Sequence, residues 1–257
     1  MSAISGWLLR TLSGWHAALM FYTCLPVPSH WPLEFRWIAY WVPWVGCLVG
    51  GLLAIADGLL TVFQVPVGVA SALVIALGIG LTGGLHLDGV MDAADGLAVP
   101  DPNRRLMVMR DSHTGAFGGM AVVVVLLLKV LALAAIAKYR WFVLIAVAMW
   151  GRWAQQWAIA CYPYLRKDGK GAFHKAALPK PVYALPSLLG LVGLSGLLWV
   201  SGSVPAEVVI RSTVGGIVFT LATNAYFYRH LRGHTGDTYG AVVEWTEALL
   251  LCSLSVL

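Results

Sequence analysis

Runs of about 20 apolar residues recur along almost the whole chain, at 41–63, 66–83, 116–137, 141–162, 182–202, 208–227 and 239–257. A helix rises about 1.5 Å per residue, so each run matches the roughly 30 Å hydrocarbon thickness of a bilayer. In hydrocarbon every backbone N–H and C=O must be bonded internally, which leaves helices and closed barrels as the only spanning structures. Unalternating runs of this length read as helices. Composition agrees: 59% of the 257 residues are hydrophobic and 11% are charged, against about 25% charged in an ordinary soluble domain. The expected fold is all-α, a polytopic transmembrane helical bundle of about seven spans, with residues 1–257 forming a single integral membrane domain. Ahead of the spans, Ile4, Trp7, Leu8, Leu12, Trp15, Leu19 and Tyr22 recur at helical spacing beside Arg10 and His16. That is the pattern of an amphipathic helix lying at the interface, with an eighth span as the alternative. Trp7, Arg10, Trp15 and His16 also interrupt the apolar core a cleavable signal would need, so this segment is expected to remain in the mature chain.

If the spans alternate, the loops 84–115, 163–181 and 228–238 and the segment before 41 all open on one side. That set holds Arg36, Arg104, Arg105, Arg110, Arg166, Lys167, Lys170, Lys175, Lys180, Arg229 and Arg232, against Lys138, Arg140 and Arg211 opposite. The positive-inside rule places the first set in the cytoplasm. Every polar, glycine-rich stretch then lies on the cytoplasmic face of an inner or plasma membrane, with lipid around the spans. The net charge of +5 is explained by these loops. No basic stretch is interleaved with aromatics on a soluble domain, so nucleic acid is not an expected partner. Cys24, Cys47, Cys161 and Cys252 are scattered singly with no C-x-x-C pair, and read as small buried side chains.

Against this background the segment Asp88-Gly-Val-Met-Asp92-Ala-Ala-Asp95-Gly is anomalous. Carboxylates at i, i+4 and i+7 fall within roughly 60° of one helical face. They repel one another unless a cation sits between them, and oxygen ligands of this kind suit Mg²⁺ or Mn²⁺. Thr82-Gly-Gly-Leu-His86-Leu leads into them from a span, its glycines letting the backbone turn or approach a ligand. The bland reading is a solvated helix face with capping aspartates.

Two further polar islands precede predicted spans. In Arg110-Asp111-Ser112-His113-Thr114-Gly115, Asp111 or Ser112 suits a helix cap, while Arg110, Ser112, His113 and the N–H groups of the helix start suit a phosphate; the two readings are compatible. In Gly233-His234-Thr235-Gly236-Asp237 and onward, Asp237, Gly240, Ala241, Glu244 and Glu247 form one stripe. Ionised carboxylates within a span face a bundle interior or a metal, so this stripe is expected to face the triple-aspartate helix; glutamates pointing to interfacial water are the alternative. The basic, glycine-containing loop from Tyr164 to Lys175 either fixes topology alone or also draws a polyanion to the site. Asp57, Lys129 and Arg152 lie within spans, Arg152 being available to pair with a site carboxylate, and Gly46 and Gly50 form a G-x-x-x-G packing face. A carboxylate-rich Mg²⁺ site with arginine and helix N-termini nearby favours phosphoryl or nucleotidyl transfer.

At these islands the chain resembles the cobalamin synthase family, the adenosylcobinamide-GDP ribazoletransferases. The matching segments are Gly83 to Gly96, Met109 to Gly118 and Gly233 to Glu247, with Phe21-Tyr-Thr-Cys-Leu-Pro-Val-Pro28 similar to the family's opening. His113 and Cys24 stand where the family often has arginine, and Val90-Met91 where smaller residues are usual; all the acidic positions are intact. The resemblance implies an inner-membrane enzyme that joins α-ribazole, or its 5′-phosphate, to adenosylcobinamide-GDP with release of GMP, using Mg²⁺. It implies Asp88, Asp92, Asp95, Asp237, Glu244 and Glu247 as catalytic residues, all but Glu247 also as metal ligands. His86, Arg110, Asp111, Ser112, His113, Gly115, His234, Thr235 and Gly236 would contact substrate, and other cobalamin-assembly enzymes are possible partners. A CDP-alcohol phosphotransferase is the nearest enzymatic alternative, but Met91-Asp92 stand where its Ala-Arg would be. A cation transporter is the other; its sites usually lie near the bilayer midplane between internal repeats, and no repeat is visible here.

Overall fold

The structure, a computed structural model, describes residues 3–111, 113, 115–166 and 171–256. Among them lie α1 (Ala3–Tyr22), α2 (Ile38–Val62), α3 (Val67–Thr82), α4 (Leu85–Ala98), α5 (Pro102–Val108), α6 (Ala116–Ala135), α7 (Arg140–Cys161), α8 (Ala172–Ala177), α9 (Leu185–Val200), α10 (Ala206–Leu231) and α11 (Gly236–Leu254), with no strand. All-α architecture is therefore as expected, and each apolar run becomes a helix within a few residues of its anticipated ends.

Length and apolarity single out fewer helices than the seven expected spans. Among the described residues, four helical stretches are long and apolar enough to cross a membrane: Phe35–Val62, Ala116–Ala135, Pro181–Val200 and Ala206–Leu231. A fifth is reached only if α3 and α4, bent by 91°, count as one. The interior helices α7 and α11, both anticipated as spans, do not meet the same measure. Almost every residue of α7 from Phe142 to Ala160 is buried, including Arg152, Gln155 and Gln156. A helix covered by protein faces other helices rather than lipid, and so carries polar groups that a lipid-facing one excludes.

The outer helices show the inverse pattern. On α6, Val123, Leu127 and Leu131 are exposed while Lys129 is buried. On α10, Ile210, Val214 and Val218 are exposed while Ser212, Thr220 and Asn224 are buried. Apolar stripes at i, i+4 spacing turned outward, with polar residues inward, define an integral membrane protein. α2 packs along α7 through its glycine pair: a Cβ added at Gly46 would lie 2.5 Å from Ala148 O, and one at Gly50 2.6 Å from Ile145 Cα. The G-x-x-x-G is thus a packing face. The N-terminal segment is helical as expected and rests on α2, with Trp15 edge-on to Trp41 at 5.5 Å. The cysteines depart from expectation. Cys24 is exposed and the other three are half-buried, because Cys24 follows α1 in a connecting segment, its N–H donating to Leu81 O at 2.7 Å.

The bundle's two ends are fastened differently. At one, Arg140 clasps Asp57 through Nε at 2.8 Å and Nη2 at 2.5 Å, reaches Ser71 Oγ at 3.2 Å and bonds the Leu133 carbonyl, joining α2, α3, α6 and α7. At the other, His234 N–H donates to Pro163 O and Leu165 N–H to His234 O, both at 2.9 Å. This short pairing ties the segment after α7 to the start of α11.

Candidate active site

The acidic segment owes its position to a break. Gly83 and Gly84 hold consecutive left-handed conformations, φ 60° and 71°, which glycine adopts without the steric cost of a Cβ. The chain turns by 91° there, so α4 leaves the line of α3 and crosses α11. The crossing is backbone on backbone: a Cβ at Gly89 would lie 2.3 Å from Asp237 O, and one at Gly240 3.0 Å from His86 Cα. This close approach brings the aspartates of α4 to the first turn of α11.

The charges confirm the convergence. Asp92 lies outside the four spans, and its carboxyl is pushed up to about 7, first by burial, then by the negative charges of Asp237, Asp88 and Asp95, with Arg166 opposing. Asp237 is raised by burial and held back by Arg166, whose Nη2 lies 2.8 Å from Asp237 Oδ2. Thr235 Oγ1 donates to the same oxygen at 3.2 Å. Sequence reading counted Arg166 only within a basic loop. The His234 pairing is what delivers it to Asp237, a contact between segments about 70 residues apart that local pattern does not reveal.

The remaining acids are engaged elsewhere. Asp95 accepts from Gly115 N–H at 2.7 Å and Gly118 N–H at 2.8 Å, capping α6 from a neighbouring helix, where a negative charge meets exposed N–H groups. Gly115, anticipated at a substrate phosphate, donates instead to this carboxylate. The α11 stripe divides: Asp237 and Gly240 face α4, but Glu244 and Glu247 face Lys129 and Arg152. Lys129 Nζ donates to Glu244 Oε2 at 2.5 Å and Glu247 Oε2 at 2.7 Å, and Arg152 Nη1 to Glu247 Oε1 at 3.0 Å. Arg152 does pair with a carboxylate, as considered from the sequence; a lone lysine in an apolar run was the signal for the rest.

The other anticipated contacts separate into buried and exposed groups. His86, in the first turn of α4, is buried, its Nε2 without a hydrogen-bond partner among the described residues, and burial, then Arg152 and Lys129, hold its imidazole well below the ordinary range. His234 is buried, its Nδ1 3.1 Å from Thr238 Oγ1, and burial pushes it down to about 4. Thr235 caps α11, accepting from Thr238 N–H at 3.3 Å, and Gly236 is exposed beside it. Arg110 is exposed after α5, and Asp111 and His113 form an exposed local pair at 2.6 Å. Ser112 lies outside the described residues. Among the described residues, no three His, Cys, Asp or Glu side chains stand close enough, as arranged, to enclose a metal ion.

Two crossing helices that pool partly buried carboxylates and an arginine at one end of a lipid-facing bundle define an integral membrane protein with a polar site at the bundle's end. The cobalamin-5-phosphate synthase family model matches residues 14–255, and the chain belongs to that family. It is 52% identical to an adenosylcobinamide-GDP ribazoletransferase of Trichormus variabilis over 94% of this chain and 96% of that one. The protein of the same name from Thermosynechococcus vestitus is 50% identical over 94% and 96% of the two chains, and that from Synechococcus elongatus 46% over 94% and 95%. No solved structure matches the chain.

Proposed function

We propose that the protein joins α-ribazole, or its 5′-phosphate, to adenosylcobinamide-GDP and releases GMP. The family and the names of its relatives support the reaction; the observation that carries the site is the α4–α11 crossing, which gathers Asp88, Asp92, Asp237 and Arg166. Mg²⁺ fits this donor set. The carboxylates are hard oxygen ligands, and burial, then their mutual repulsion, lifts Asp92 to about 7. Mg²⁺ typically takes one or two carboxylates together with water and substrate phosphates, so it needs no cage of three. Asp88 and Asp92 would hold it, and when bound it neutralises charge on the diphosphate and the leaving GMP. Asp95 and Glu244, included among the ligands on sequence grounds, are here assigned to the α6 cap and the Lys129 pair.

In this reading Asp237, whose pKa burial raises in the direction a general base needs, takes the proton of the attacking ribazole hydroxyl. That oxygen bonds to the cobinamide-side phosphorus as the phosphorus–oxygen bond to GMP breaks. Arg166 turns from Asp237 to the phosphates, where a planar guanidinium matches two oxygens. The basic residues Arg104, Arg110, Arg166, Arg229 and Arg232 support placing this end in the cytoplasm of an inner membrane.

The test is Asp92→Asn in reconstituted protein, measuring GMP release across a Mg²⁺ titration. Loss of turnover, or a demand for far more Mg²⁺, is expected; wild-type rates at every Mg²⁺ level overturn the metal assignment.

A further inference from the structure

The reverse face of α4, turned away from the aspartates, forms part of a groove of about 710 Å³, lined by Val90 and Leu97 of α4, Phe117 of α6, Ala222 and Tyr226 of α10 and Trp245 of α11, among others. Its lining is mostly carbon, with polar atoms only on Thr223, Tyr226 and Trp245 among the side chains. The hydroxyl of Thr223, which also lines it, is already spent on Phe219 O at 2.8 Å and Thr246 Oγ1 at 3.0 Å. The volume lies within the range of small-molecule sites, but those carry several convergent polar groups; this one suits a largely apolar occupant. Its walls α6 and α10 are both spans, and Phe117, Ala222 and Tyr226 are exposed, so the groove opens sideways into lipid.

The end of the groove is cationic. One turn beyond Tyr226 and Phe227 come Arg229 and His230, and beyond Leu97 and Ala98 comes Val99. Arg105 bridges these helix ends, Nε donating to Val99 O and Nη1 to His230 O, each at 3.0 Å. Arg104 and Arg229 are exposed beside it. The nearby Asp101 is the cap of α5, accepting from Asn103 N–H at 3.0 Å. An apolar trough in the hydrocarbon region with arginines at its surface end is complementary to one kind of molecule, a lipid chain under a negative headgroup.

We propose that this groove is an acyl-chain site for an anionic phospholipid whose headgroup phosphate rests against Arg104 and Arg229. The lipid completes the packing behind α4, the helix whose front carries the acids. The experiment is native mass spectrometry of the full chain released from nanodiscs of equal phosphatidylglycerol and phosphatidylcholine. The wild type retains phosphatidylglycerol over phosphatidylcholine by about thirtyfold, the excess two arginine contacts at a membrane surface provide. Ala222→Trp, which fills the groove from its exposed rim, loses the lipid, whereas Val218→Trp, one turn away on the outer face of α10, keeps it. Arg104→Gln/Arg229→Gln removes the preference between headgroups. Equal retention of the two lipids by the wild type overturns the headgroup assignment whether or not any variant folds, and undiminished retention by Ala222→Trp overturns the groove.

Discussion

Replacing Lys129 with methionine isolates the buried charges of α11. Lys129 and Arg152 carry two positive charges and Glu244 and Glu247 two negative ones, with the side chains of the two cations only 6% and 4% exposed. Glu247 keeps Arg152 at 3.0 Å when Lys129 is removed, but Glu244 loses its only ion-pair partner among the described residues, Lys129 at 2.5 Å. One uncompensated buried charge costs about 3–5 kcal/mol. At about 2–4 °C per kcal/mol for a chain of this size, Lys129→Met should lower Tm by roughly 6–20 °C. The double variant Lys129→Met/Glu244→Gln removes a cation and an anion together, leaving the Arg152–Glu247 pair neutral, and should recover most of the loss. Thermal unfolding of wild type, both single variants and the double, followed by helical circular dichroism in one detergent, closes the cycle. A single variant within about 1 kcal/mol of wild type, or a double no more stable than Lys129→Met, refutes the reasoning. The double variant should also need the same Mg²⁺ for half-maximal GMP release, since Glu244 is assigned to Lys129 and not to the metal.

Two further outcomes follow from the α4–α11 crossing. Because Asp92 titrates at about 7 in the folded chain against an ordinary 3.8, the native state holds a proton between those values that the unfolded state lacks. Stability of the metal-free chain therefore falls as pH rises toward 7, and on the proposed assignment of Mg²⁺ to the ionised carboxylate the metal should raise Tm more at pH 8 than at pH 6; equal shifts would count against Asp92 as a ligand. Gly89→Ala places a Cβ 2.3 Å from Asp237 O and should cost about 1–3 kcal/mol by forcing the helices apart, whereas Gly119→Ala, which meets nothing within 4 Å, should be neutral or stabilising by the same unfolding measurement.

Much of this arrangement was legible in the chain. Apolar run length located the helices, the i, i+4, i+7 aspartates announced a shared face, and the small residues Gly89 and Gly240 mark where two backbones touch. Which spans face lipid and which face protein was not legible in the same way: run length alone does not separate the two, and α7 is covered along almost its whole length by other helices. The contact Asp95 makes was hidden for a related reason: a carboxylate that caps another helix's N-terminus and one that awaits a cation look alike until the partner's position is known. Arg166 was hidden by distance along the chain, since only the pairing of Pro163 and Leu165 with His234 brings its loop to Asp237.

The division of the α11 stripe has a physical cause in depth. At about 1.5 Å per residue, Glu244 lies roughly 10 Å and Glu247 roughly 15 Å further along the helix than Asp237. Asp237 stands at the bundle's end, partly open to solvent beside Arg166. A hydrated ion would have to shed its shell to follow the stripe inward, and Mg²⁺ dehydrates reluctantly. Carboxylates at that depth are tolerable only with counter-charges built into the protein, and Lys129 and Arg152 are those charges. Periodicity placed all five stripe residues on one face; the fall in hydration along that face gives its two halves different partners, Arg166 at the mouth and Lys129 and Arg152 within.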